Sequence, residues 1–122
     1  MVNSIIIICE DSPFGKNSAV ETIRMATGLL AIGDIENCKV VFMKDAVYFL
    51  NKNLNPDALG VDHFTSIMRL VELAELEIFI HDKALEDAGM DTSELIPGDN
   101  IQVVNIEKIS ELIAEANMSF KY

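Results

Sequence analysis

The sequence predicts an α/β fold: one domain over residues 1–122, a three-layer α/β/α sandwich with a mainly parallel sheet of four to five strands. Three observations predict it. Ile5, Ile6, Ile7 and Ile8 run into Cys9 with no polar interruption, the pattern of a strand buried on both faces. Further short apolar runs at 38–43, 76–81 and 101–105 alternate with stretches of helical spacing, and strands separated by helices need crossovers that leave them parallel. Finally, 122 residues, half of them apolar, are enough for one core, and no internal repeat, low-complexity tract or linker divides them.

The first unit sets the pattern. After Cys9, Glu10 and Asp11 end the apolar run, and Pro13 and Gly15 turn the chain around Phe14. Pro13 restricts φ while Gly15 permits conformations other residues resist, which predicts a fixed loop over the carboxyl edge of the sheet. Ser18 and Glu21 have the spacing of a capping box at the start of a helix. Val20, Ile23, Ala26, Thr27 and Leu30 recur along that helix, and Gly33 closes it. A strand over 38–43 and a short helix over 45–51, built on Ala46, Val47, Phe49 and Leu50, come next.

Residues 51–63, with Asn55, Pro56, Asp57 and Gly60, read as a surface loop. Phe64, Ile67, Met68, Val71 and Ala74 mark another helix. A third strand over 76–81 ends at His81; Asp82 is placed to cap a helix over 83–88, and Gly89 to stop it. After Pro97 and Gly98, a fourth strand spans 101–105. Ile106, Ile109, Leu112, Ile113 and Ala116 line one face of the last helix, and residues 118–122 form a short fifth strand or a tail.

Composition narrows the function. Nine basic against twenty acidic residues give a formal charge of −11, which repels nucleic-acid phosphates and anionic lipid, so neither is an expected partner. No apolar run approaches the ~20 residues of a membrane span, and the first residues lack the features of a signal peptide; the expected location is cytoplasmic. Cys9 and Cys38 end and open successive strands. At ~3.3 Å per residue they fall more than ~15 Å apart, beyond disulfide reach. Without a Cys-x-x-Cys pair or clustered histidines no metal site is expected.

In parallel α/β sheets ligands bind at the carboxyl edge, which here collects Cys9, Glu10, Asp11, Lys44, Asp45, His81, Asp82 and Asn105. Gly15-Lys16-Asn17-Ser18 has a P-loop flavour, but the upstream glycine is missing and Asn17 stands where Ser or Thr would bind magnesium; no cofactor is expected. Glu10 and Asp11 would suit a receiver-like phospho-acceptor domain with Asp82 as acceptor, but no strand-end lysine stands in the required place before the last helix. Cys9 could be a nucleophile or sulfur carrier only if exposed and stabilised as thiolate; its position favours a buried hydrophobe with a raised pKa. His81, beside Asp82, is either an acid/base group or a hydrogen-bonded structural histidine.

Several of these segments also resemble a known family. Ser12-Pro13-Phe14-Gly15 with Ala19-Val20-Glu21-Thr22-Ile23, the stretch from Val40 through Lys44, Asp45, Val47 and Tyr48 to Leu50, Ile78-Phe79-Ile80-His81 to Gly89, and Ala116-Asn117-Met118-Ser119-Phe120 are similar to the DsrE/DsrF/TusC-like proteins, closest to the DsrF/TusC branch. Lys44 replaces the glycine usual in that family. The resemblance implies a sulfur-relay role. Catalytic members carry a persulfide on a cysteine eight residues before the glycine matched by Gly89, which here is His81. The implied role is therefore a non-catalytic subunit, with a thiol-active sulfurtransferase or redox protein using Cys9 as the alternative. Assembly as a homo-oligomer (trimer or hexamer), or as a hetero-oligomer with related subunits, is implied as well. The candidate site is His81 and Cys9 with a carboxyl-edge crevice of Glu10, Asp11, Pro13, Phe14, Gly15, Lys44, Asp45 and Asp82.

Overall fold

The computed structural model describes residues 4–12, 18–32, 35, 37–52, 69, 71–96, 98 and 100–121. Five parallel strands form one sheet: β1 (Ser4–Cys9), β2 (Asn37–Phe42), β3 (Glu77–His81), β4 (Ile101–Val104) and β5 (Met118–Lys121), in the order β4-β3-β2-β1-β5. The helices are α1 (Ser18–Ile32), α2 (Asp82–Ala88) and α3 (Ile106–Glu115), with a 3-10 helix over Lys44–Leu50. Residues 71–74 are also helical. The expected turn at Pro13, Phe14 and Gly15, the stop at Gly33, the loop from residue 53 on, and Phe64, Ile67 and Met68 lie outside the described residues, as do Pro97 and Tyr122.

The isoleucine run explains the layers. Side chains alternate across a strand, so Ile5, Ile7 and Cys9 enter one core with Val20, Ile23 and Ala26 of α1, while Ile6 enters a second with Val41, Phe79, Ile109 and Leu112. Both faces of β1 are therefore covered. A fully buried isoleucine contributes roughly 1.5–3 kcal/mol, so this strand anchors the domain. The first core holds α1, the 3-10 helix and α2, where Phe42 and Phe49 stack with ring centroids 6.1 Å apart. The second is smaller and α3 is the helix that fills it.

Strand order gives the sheet a switch point. From β1 to β4 each strand adds on the same side of its predecessor; β5 then returns to pair with β1 on the other side. The reversal therefore falls between β1 and β5, with α3 on the face opposite α1. This order differs from the 2-1-3-4-5 order of receiver domains. It separates Asp82, after β3, from Lys121, at the end of β5, by two intervening strands. The receiver-like arrangement of acceptor and lysine is not formed.

Local signals held unevenly. Gly89 stops α2 in the left-handed region at φ 70, its N–H bonded to the carbonyls of Glu86 and Leu85, as helix ends commonly require. Residue 81, not Asp82, is the N-cap of α2; Asp82 is the first helical residue, and its carboxylate accepts the N–H of Lys83 at 2.7 Å. Asn105 caps α3 by accepting the N–H of Lys108 at 2.9 Å. The capping box at Ser18 does not form. Ser18 is already helical and its hydroxyl donates to Asp11 Oδ2 at 3.1 Å, while Glu21 pairs with Arg24 at 2.9 Å.

Cys9 and Cys38 are both free and buried. In register, Cys38 lies opposite Ile5, four residues before Cys9. That is about 13 Å along the strand at ~3.3 Å per residue, slightly closer than the sequence suggested and still too far for a bridge.

Candidate functional site at the carboxyl edge

The centre of the edge is a carboxylate. Glu10 follows β1 directly, and its two oxygens receive two ammonium groups, Lys44 Nζ at 2.7 Å and Lys121 Nζ at 2.9 Å. One side chain thus ties together the ends of β1, β2 and β5. Glu10 is mostly covered, its side chain 16% exposed, while both lysines reach out into solvent. The hydrogen bond from Lys44, and then that from Lys121, hold the Glu10 carboxyl below the usual glutamate range. The same contact raises the Lys44 ammonium. The backbone closes the arrangement, with Met43 N–H donating to the Cys9 carbonyl at 2.9 Å.

Lys44 sits there at a backbone cost. Its φ is 51, the left-handed region, where a Cβ costs roughly 1–2 kcal/mol. Asp45 follows as an exposed residue in the first turn of the 3-10 helix. Asp11 turns toward α1, where it accepts the Ser18 hydroxyl.

Cys9 lies beneath this edge on the α1 side, fully buried. Burial, the largest effect, pushes its thiol up; a hydrogen bond with Thr22 and another with the Asp11 backbone pull the other way without reversing it. Cys38 is pushed up to about 11 by burial. Neither is a thiolate near neutral pH, the form a nucleophile needs.

His81 ends β3 on the α3 side, the face its neighbour Phe79 also occupies two residues earlier. Its Nε2 is 3.8 Å from Asp82 Oδ1, and its side chain is 16% exposed. Asp82 itself lines a surface groove of about 520 Å³ with Leu85, Met90, Thr92 and Val103. Lys121 is in register with Ile8, whose side chain packs in the same α3-side cluster as Phe79. His81 and the Glu10–Lys121 pair therefore open on one face of the sheet. Pro13, Phe14 and Gly15 lie outside the described residues.

Lys121 was not identifiable as a site residue from the sequence, because its role depends on β5 returning beside β1. A larger groove, about 590 Å³, lies away from this edge, between the second half of α1 and Leu73 and Ala74. Among the described residues no group of three or more His, Cys, Asp or Glu side chains could hold a metal ion, and no helix is long and apolar enough to cross a membrane.

The family model described as DsrE/DsrF-like matches residues 3–121. No curated protein matches the chain. Among solved structures, the ychN protein from E. coli superposes with a TM-score of 0.81 at 16% sequence identity, over 98% of this chain and 99% of that one. The protein of unknown function MTH1491 from Methanobacterium thermoautotrophicum gives a TM-score of 0.65 at 15% identity, over the whole of both chains. At such identities the two structures speak to the fold, and both share it.

Proposed function

The chain belongs to the DsrE/DsrF-like family, and from that membership we propose that it works in a sulfur-relay system as a non-catalytic subunit of the DsrF/TusC type. The observation that carries this reading is His81. It stands at the end of β3, eight residues before the helix-stopping Gly89, where sulfur-carrying relatives place cysteine. An imidazole forms no persulfide. The two thiols the chain does have are buried and protonated at neutral pH, which favours this reading over a sulfurtransferase using Cys9.

A subunit without the carrier thiol acts by binding. In this reading the carboxyl edge, with Glu10, Lys44, His81 and Asp82, faces a partner or its cargo, and the chain assembles with copies of itself or with related subunits. Apolar side chains on both outer strands support assembly: Met118 and Phe120 on β5 are 40% and 42% exposed, and Val103 on β4 is 38% exposed. Native mass spectrometry with and without a persulfide donor tests the reading. The expected result is a mass of several chains that gains no sulfur. A single chain, or one sulfur atom added at Cys9, contradicts it.

A further inference from the structure

We propose that Lys44 and Lys121, held together by Glu10, form a binding point for a small, singly charged anion at the carboxyl ends of β1 and β5. That the anion is a sulfur species rests on the sulfur-relay reading; the site itself does not. Three observations converge on it. The strand order reverses between β1 and β5, and in open α/β sheets ligands bind outside the carboxyl ends of strands at such a switch point. Glu10 and Lys121 stand at those two ends.

Charge is the second observation. In a chain of net charge −11 with nine basic residues, two ammonium groups converge on one carboxylate, at 2.7 and 2.9 Å. The cluster carries a net +1. Attraction to a net +1 rises in proportion to the anion's charge, while the Born cost of stripping its water rises with the square of that charge, so the balance suits a monoanion better than a dianion. An ammonium has three N–H donors, and the contact with Glu10 uses one from each lysine. The lysine side chains are 70% and 68% exposed, open to a ligand arriving from solvent.

The third observation is the backbone at Lys44. A φ of 51 is a conformation glycine adopts freely and lysine resists. What a lysine adds there is an ammonium over Glu10. Binding makes and breaks no covalent bond; the anion replaces water on the two ammonium groups.

The test is an NMR titration of the full chain with three probes. Methanethiosulfonate is a monoanion with a terminal sulfur, methanesulfonate is a monoanion of similar shape without it, and inorganic phosphate is the more highly charged control. Saturable shifts at Glu10, Lys44 and Lys121 are expected with a monoanion, and weaker ones with phosphate. Tighter binding of methanethiosulfonate assigns the site to sulfur cargo; tighter binding of methanesulfonate supports the site and assigns it to an oxyanion. Lys44→Gly, which accepts the left-handed backbone, and Lys121→Met, on an exposed strand, should each weaken binding roughly tenfold, about 1.4 kcal/mol. Glu10→Gln leaves +2 and should shift the preference toward phosphate. No saturable shift with either monoanion, or unchanged affinity in both lysine variants, overturns the proposal. Such a failure leaves the sulfur-relay reading to its own test, since native mass spectrometry reads assembly and sulfur loading without these lysines.

Discussion

Glu10 is the residue on which the carboxyl edge depends, and its protonation gives the clearest single-residue prediction. Its carboxyl is held below the usual range in the folded chain by Lys44 and Lys121. A group whose folded value is depressed contributes stability that is present above its unfolded value, about 4.3, and lost as pH falls through the folded value. Glu10→Gln should therefore flatten the pH dependence of stability below about pH 4.3, measured by urea unfolding across that range; an unchanged slope would mean the two ion pairs carry no weight. Lys44→Gly should move the Glu10 carboxyl back toward its ordinary value in an NMR titration, because the larger of the two lysine contributions that lower it is gone. These contacts show where local reading stops. Lys121 lies far from Glu10 in sequence and reaches it through the β1–β5 pairing, which no local pattern encodes. Ser18 is no cap because the helix already includes it; its hydroxyl instead donates to Asp11, seven residues earlier.

Among the elements, α3 is the one whose loss should be easiest to provoke. It forms the cover of the smaller core through two buried side chains, Ile109 and Leu112. Leu112→Ala should cost about 2–5 kcal/mol, as large-to-small changes in cores do. Asn105→Ala, which removes the cap on Lys108 N–H, should cost about 1 kcal/mol. Thermal unfolding of both variants checks the ranking; an equal or reversed order would contradict it, and a reversed one would show that the cap outweighs the packing. Most elements were legible because their signals are local. The run from Ile5 to Cys9 reads as a strand covered on both sides and Gly89 as a helix stop, and both form as read. The strand starts moved by one residue, from 38 to Asn37 and from 76 to Glu77, as ends without a proline or glycine boundary do.

At the scale of the whole molecule, strand order is what the sequence left open. Alternating strands and helices require a parallel sheet, but the jump of β5 across to β1 is a tertiary choice, and it decides which strand ends meet. The exposed apolar side chains of β5 and β4 lead to the expectation that the chain assembles; a light-scattering mass of one 13.5 kDa chain at micromolar concentration would count against it. In the proposed reading, His81 stands where sulfur-carrying relatives place cysteine and carries no sulfur itself. Installing the thiol tests it most directly: His81→Cys in a chain with Cys9→Ala and Cys38→Ala, exposed to a persulfide donor and read by intact mass. One added sulfur is expected on that variant and none on the same background retaining His81. A folded His81→Cys variant that takes up no sulfur would contradict it.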